Sequence, residues 1–212
     1  MSLLRVRDLG CQQYLPVWEK MQAFTEQRDN TTEDEIWLLE HEPVFTQGMN
    51  GKPEHILNKT EIPVVEIDRG GQVTYHGPGQ LIAYCLFDLK RKKFGIRQMV
   101  TALEDAVIDL LSDESIKAVA RKDAPGVYVE GAKIAALGLR VKRGCSYHGL
   151  SLNVDMDLTP FKDINPCGYE NLDVTQLKNL GIKTTLSAAK EKLLVKICQQ
   201  FSIDQITRLN GF

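Results

Sequence analysis

No stretch of this 212-residue sequence reaches the roughly 18 consecutive apolar residues that a membrane-spanning helix needs. The opening MSLLRVRDLGCQQY lacks the apolar run of a secretory signal, so the chain reads as cytoplasmic. There is no C-x-x-C pair. The five cysteines, Cys11, Cys85, Cys145, Cys167 and Cys198, are odd in number and widely spaced, which argues against a disulfide framework. Cys145 and His148 form a C-x-x-H with no second half, so no metal site is expected. Net charge is almost absent, at −2, and gives no general pull towards nucleic acid or an anionic membrane. Low-complexity runs, internal repeats and linkers are also missing. What remains is an ordinary globular composition, 43% hydrophobic and 25% charged, in a chain long enough to bury a real core. One domain over residues 1–212 is the simplest organisation, with the stretch from about 172 as a candidate C-terminal subdomain.

Residues 11–28 carry apolar positions at three-to-four spacing and read as a helix, with Pro16 in its first turn. IWLLEH (36–41) and PVVEI (63–67) read as strands, and LIAYCLFDL (81–89) as a buried one that holds Cys85 in the core. Residues 96–112 form an amphipathic helix with Val100, Leu103, Val107, Leu110 and Leu111 on one face. Three short strands follow, 126–130, 133–141 and 147–155, joined by turns at Glu130-Gly131 and Lys142-Arg143-Gly144. LDVTQLKNL (172–180) reads as a short helix capped near Asp173. A last helix over 187–201, capped by Ser187, packs Leu194, Ile197, Cys198 and Phe201. Helices interleaved with hairpin-connected strands predict an α+β fold, a mixed or antiparallel sheet flanked by helices, not a doubly wound parallel one.

Four stretches concentrate chemistry. RGGQVTYHGPGQ (69–80) packs four glycines and polar Arg69, Gln72, Thr74, Tyr75 and His76 into one segment. It lacks the G-K-[ST] of a phosphate loop, and no helix follows it. In GAKIAALG (131–138), Lys133 opens an apolar strand. It reads in the first instance as an exposed strand-end lysine whose stem snorkels. At the edge of an apolar pocket, however, desolvation would lower its pKa and make it a base. YHGLSLN (147–153) sets His148 before Gly149, as a surface histidine or as an imidazole beside His76. In DINPCGYE (163–170), Pro166 and Gly168 flank Cys167 and present it outside any regular element. A presented thiol becomes a nucleophile only with a nearby cation or donor, for which Lys133, His76 and His148 are candidates. Cys145, beside glycine and basic residues, is the rival nucleophile.

Taken in order and at their spacing, RGGQVTYHGPGQL, GAKIAALGLRV, RGCSYHGLSLNVDMDL and FKDINPCGYE resemble the blocks of the lipoyl(octanoyl) transferases, the lipoate-protein ligase B family. HEPVFTQG (41–48) is similar to that family's N-terminal block, with Glu42 a conservative departure. The resemblance spans about residues 1–180. It implies the catalytic fold shared by biotin and lipoate protein ligases, and transfer of an octanoyl group from acyl carrier protein to a lysine of lipoyl domains. Those domains belong to 2-oxoacid dehydrogenases and the glycine cleavage H protein. The donor thioester is already activated, so no cofactor is implied.

Carried over residue by residue, the resemblance makes Cys167 the acyl-accepting nucleophile and Lys133 the group that lowers its pKa. The acyl-binding positions become Arg69, Gly70, Gly71, Gln72, Val73, Thr74, Tyr75 and His76, then Ala136, Leu137 and Gly138, then Gly149, Leu150 and Ser151, with His148 in support. Ala135 and Leu139 are further candidates for the acyl slot. The dyad requires Nζ of Lys133 to approach Sγ of Cys167 to about 3–4 Å. The cationic run LKRKKFGIR (89–97) is a candidate docking patch for an acidic carrier protein. Three alternatives stay open: an ATP-dependent lipoate ligase on the same fold, which needs no cysteine in the 163–170 loop; an amidotransferase between protein lysines; and a non-catalytic acyl-carrier-binding module.

Overall fold

In the computed structural model, which describes residues 3–169 and 172–212 with the Cys167 side chain excepted, the chain starts on a strand. β1 (Leu3–Gln12) turns Leu4 and Val6 to one face and Leu9 to the other, across an irregularity between Asp8 and Cys11. The first helix, α1 (Tyr14–Gln27), therefore begins later than its periodicity suggests, with Pro16 still in the first turn. Next come β2 (Asp34–His41), β3 (Val44–Gln47), β4 (Val64–Glu66), β5 (Val73–His76) and β6 (Gln80–Leu86). A single-turn α2 (Leu89–Lys92) leads into α3 (Ile96–Asp113). The chain then forms β7 (Val119–Ala120), β8 (Gly126–Val129), β9 (Ala132–Lys142) and β10 (Cys145–Asn153), and ends with α4 (Leu186–Gln200) and β11 (Gln205–Asn210).

Eight strands make one sheet in the order β11-β1-β2-β6-β10-β9-β8-β7. β1 runs parallel to both neighbours and every other pairing is antiparallel, so the fold is α+β with a mixed sheet. Hairpin turns place both central residues at positive φ, Glu130-Gly131 at 50° and 88° and Arg143-Gly144 at 56° and 88°. A second sheet, β4-β3-β5, lies apart from the first. β3 and β5 were not legible as strands. β5 forms inside the glycine-rich stretch, because its Val73–His76 backbone finds partners in β3.

Both faces of the large sheet are covered. On one face Ile36, Leu38, Leu81, Ala83 and Cys85 meet Met99, Leu103, Val107 and Leu110 of α3 and Leu193, Leu194 and Ile197 of α4. On the other face Trp37, Leu39, Ile82, Tyr84 and Leu86 meet Val17 and Met21 of α1. This two-sided burial is why β6 reads as a continuous apolar run. Cys198 packs at the edge of the first core, as its spacing suggests. Among the described residues no helix is long and apolar enough to cross a membrane.

Three local readings change. Residues 172–180 do not form a helix: only Leu177–Leu180 makes a 3₁₀ turn. The backbone just before it is captured by β9, with Lys133 N–H donating to the Asp173 carbonyl at 2.8 Å and Thr175 N–H to the Lys133 carbonyl at 2.9 Å. Thr185, not Ser187, caps α4, its hydroxyl accepting from Ala188 N–H at 3.1 Å. The C-terminal stretch joins the main body, since α4 packs on α3 and β11 extends the large sheet beside β1.

Candidate active site

The glycine-rich segment is stapled to β3. The buried Arg69 guanidinium donates to the Thr46 carbonyl at 2.7 Å, to the Thr46 hydroxyl at 2.9 Å and to the Gly70 carbonyl at 2.9 Å. His76, also buried, bonds Gln80 Oε1 through Nδ1 at 2.7 Å and meets the Thr46 hydroxyl through Nε2 at 3.3 Å. The amide of Gln80 donates to Asn153 Oδ1 and the Tyr75 carbonyl, so its oxygen accepts from His76 and Nδ1 carries the proton. Burial, reinforced by nearby His41, pushes His76 down to about 3.

His148 sits in β10 at a φ of +62°, a conformation that costs a non-glycine residue about 1–3 kcal/mol. Its ring is buried and bonds Asp68 at 3.3 Å. Asp68 also accepts from Trp18 Nε1 at 2.9 Å, from Gln22 Nε2 at 3.4 Å and from the Tyr147 hydroxyl. Burial opposes the charge on Asp68, but the hydrogen bonds from His148, Tyr147 and Trp18 together hold its carboxyl well below the usual carboxylate range. Burial drives His148 down as well, against the pull of Asp68. Burial thus disfavours the cationic form of both His76 and His148, and with it the charge that a thiolate needs.

These segments line a pocket. Of the sequence-predicted positions, Arg69, Gly71, Gln72, Val73, Thr74, His76, Ala136, Leu137, Gly138, His148, Gly149, Leu150 and Ser151 line it. Gly70 and Tyr75 do not. Gly70 faces an outer groove, and Tyr75 packs with Phe45 and Phe161 in a separate cluster. Ala135 lies in the main core and Leu139 lines the groove. Gly149 is required where it stands, because a Cβ there would come within 2.0 Å of the Ala83 carbonyl oxygen.

The pocket adjoins an outer groove, with Gly71, Gln72, Leu137 and Gly138 lining both. That groove is also lined by His55, Val100, Ala124, Pro125, Gly168 and Tyr169. The turn Pro166–Gly168 that carries Cys167 is tied down on two sides. Asn165 N–H donates to the His55 carbonyl at 2.8 Å, and the Tyr169 hydroxyl to the Asp123 carbonyl at 2.9 Å. The Cys167 side chain and Glu170 lie outside the described residues, so the Lys133–Cys167 separation does too.

Lys133 is not the exposed strand-end lysine of the simplest reading: it is 3% exposed. β9 carries one more residue than β8 between the Tyr128↔Lys133 and Val127↔Ala135 pairs, and this bulge breaks the strand's alternation beside Lys133. The amine donates to the Pro125 carbonyl at 3.3 Å and lies 5.2 Å from the centre of the Tyr128 ring. Glu104 of α3 shares this neighbourhood. Burial raises its carboxyl, while the Gly126 N–H, donating at 2.9 Å, and the Lys133 charge pull it down. Cys145, the rival nucleophile, lines neither cavity, and burial raises its thiol.

Sequence reasoning missed Tyr14, Tyr84, His41, Asp68 and Glu104. Only Glu104, a carboxylate on an otherwise apolar helical stripe, and Tyr84, a hydroxyl inside a buried run, carried a signal.

The cationic run 89–97 divides in two. Arg91 and Lys92 bond Asp34 at 2.7 and 3.2 Å, beside Arg28 at 2.6 Å, and so anchor α2 to the buried start of β2. Lys90, Lys93 and Arg97 are exposed.

Residues 13–198 match the model of the lipoyl protein ligase A/B catalytic domain. An octanoyltransferase of Chromobacterium violaceum is 57% identical over 95% of this chain and 98% of its own length. One of Shewanella amazonensis is 54% identical over 98% and 96%. The fold is similar to that of a bipartite lipoate protein ligase of Thermoplasma acidophilum, studied with its E2 lipoyl domain, at a TM-score of 0.78 and 14% identity, covering 100% of this chain and 88% of that one. A lipoate-protein ligase A bound with ATP gives 0.76 at 13% identity, covering 100% and 89%. A biotin protein ligase of Aquifex aeolicus gives 0.55 at 13%, covering 93% and 69%. With the octanoyltransferases it matches along almost its whole length, this chain belongs to the lipoyl protein ligase A/B catalytic-domain family.

Proposed function

We propose that this acyltransferase takes an octanoyl group from octanoyl-acyl carrier protein onto Cys167 and passes it to a lysine of a lipoyl domain, with Lys133 as the base. One observation carries the reading. A pocket lined by the 69–76, 136–138 and 149–151 segments adjoins, through shared Gly71, Gln72, Leu137 and Gly138, a groove whose wall includes Gly168, next to Cys167, and Pro125, which accepts from the Lys133 amine.

The chemistry needs nothing beyond the two substrates. The Cys167 thiolate attacks the thioester carbonyl and forms a tetrahedral oxyanion, for which backbone N–H groups of the glycine-flanked segments are the available donors. The carrier's C–S bond breaks, and its thiolate leaves and takes up a proton. The acceptor lysine sheds its ammonium proton to solvent and its free amine attacks the new thioester; the amine nitrogen gives its second proton to Lys133 as the C–S bond breaks, the amide forms and the Cys167 sulfur departs as a thiolate. Acceptors on this reading are the lipoyl domains of 2-oxoacid dehydrogenases and the glycine cleavage H protein. The likeness to a ligase studied with an E2 lipoyl domain supports that class.

The likeness to an ATP-bound ligase keeps ATP-dependent ligation as the second reading. It has no use for a cysteine at position 167, and the octanoyltransferase relatives at 54–57% identity favour the first. Intact mass after incubation with octanoyl-carrier protein and no ATP separates the two. The expected product is an octanoyl adduct that hydroxylamine removes and Cys167→Ala lacks. A strict ATP requirement for acceptor labelling would sink the transferase reading.

A further inference from the structure

The candidate pocket has two dissimilar sides. Gly71, Gln72, Leu137 and Gly138 are shared with the outer groove. Tyr14, Ile82 and Tyr84 are not, and none is more than 5% exposed. That side is backed by His41, which is fully buried and not part of the lining. His41 bonds the Gln12 carbonyl through Nδ1 at 3.0 Å and the Tyr84 hydroxyl through Nε2 at 2.7 Å. A carbonyl only accepts, so Nδ1 carries the proton and Nε2 accepts from Tyr84. The Tyr14 ring lies 4.8 Å from His41 and 6.0 Å from His76, and the Tyr84 ring 5.8 Å from His41. Tyr14 at the start of α1 and Tyr84 in β6, far apart in the chain, thus pack on the same imidazole.

We propose that the Tyr14–Tyr84 pair, braced by His41 and completed by Ile82, is the stop that sets the length of the acyl chain. The inference rests on the reading that the acyl chain fills this pocket. The Tyr84 hydroxyl is satisfied by His41, and the two rings and Ile82 offer the tail carbon surface. Each methylene gains by burial until the wall is reached. A longer chain must then displace a braced ring in a close-packed interior, or leave its excess in the groove.

The test is kcat/KM for acyl-carrier thioesters of six, eight, ten and twelve carbons with the wild type, Tyr14→Leu, Tyr84→Leu and Ile82→Phe, each checked for folding by thermal melting. In the leucine variants the ten-to-eight-carbon ratio should rise about tenfold or more, and in Ile82→Phe the preference should move to six carbons. Simple damage to the fold lowers all lengths together, whereas a stop moves the optimum in opposite directions in the two kinds of variant. Folded, active variants with an unmoved length profile overturn the proposal. Should Tyr84→Leu fail to fold after His41 loses its partner, Tyr14→Leu and Ile82→Phe still decide. A wild type that accepts no acyl group of any length instead removes the underlying reading, and the stop with it.

Discussion

The Lys133 amine reaches the Pro125 carbonyl at 3.3 Å in space that exists because residue 126 has no side chain. A Cβ on Gly126 would lie 3.0 Å from Cε and 3.2 Å from Nζ of Lys133, and only 2.7 Å from the Ala135 carbonyl oxygen. The φ of +146° at Gly126 also disfavours any L side chain. Gly126→Ala should therefore displace the amine and cost about 1–3 kcal/mol of stability. Rapid-quench transfer from the preformed octanoyl adduct to a lipoyl domain, read by intact mass, should be slowed at least about tenfold, since a misplaced base loses most of its effect. Unchanged transfer in this variant would remove Lys133 as the base.

A contrast between two pocket glycines separates fold from function. Gly149→Ala drives a methyl into the backbone carbonyl of Ala83, which cannot move without parting β10 from β6. Gly138→Ala meets the Cδ of Arg69 at 2.7 Å, a side chain rather than backbone, though one whose guanidinium is held by Thr46 and Gly70. The first should lower Tm by several degrees or prevent folding, in line with about 1–3 kcal/mol or more for overpacking. The second should lose less stability and shift Arg69 at the pocket, raising KM for the acyl donor. Equal Tm losses in the two variants would refute the distinction.

Much of the fold was legible where one element carries its own pattern. The stripe of α3, the two-sided burial of β6 and the positive-φ turns of the β8–β9–β10 hairpins are all local properties. What was not legible depends on partners distant in sequence. β3 and β5 are four residues each and exist by pairing Val44 with His76 across some thirty residues of chain. β11 is an exposed edge strand with little apolar signal, set by its register on β1. The site divides in the same way. Glycines and polar residues marked the 69–80 and 147–153 segments, but Lys133 was read as exposed because a bulge in β9 cannot be seen in the sequence. Tyr14, His41 and Tyr84 come from three elements, and nothing in any one of them announces the others.

Buried neutral histidines make stability depend on acid. Burial pushes His41 down to about 4 and His76 to about 3, whereas both titrate near 6.5 in the unfolded chain. Between these values the unfolded state binds more protons than the native state. Stability is therefore complete above about pH 6.5 and is lost as pH falls towards 4. Each histidine contributes a slope of up to about 1.4 kcal/mol per pH unit. Urea unfolding at pH 7, 6 and 5 should show a midpoint that falls in both intervals and more steeply in the second. A flat profile down to pH 4.5 would mean that these rings are not enclosed as described.

The 89–97 run gives a prediction that its sequence could not. Its five cations look equivalent, but Arg91 and Lys92 are committed to the buried carboxylate of Asp34, and Lys90, Lys93 and Arg97 are not. Arg91→Glu or Lys92→Glu would set a like charge against Asp34 and should lower Tm, at a cost of about 1–3 kcal/mol while Arg28 still holds Asp34. Lys93→Glu with Arg97→Glu should leave Tm within about a degree, because exposed charges contribute little to stability. Arg97 adjoins Ile96, an exposed apolar residue that lines the outer groove, so this cation is next to the groove in sequence. If an acidic carrier protein docks there, the pair of substitutions raises its KM several-fold at low ionic strength, less at high salt, and leaves the KM of a small octanoyl thioester unchanged. A carrier KM that does not respond would assign the whole run to structure and solvation.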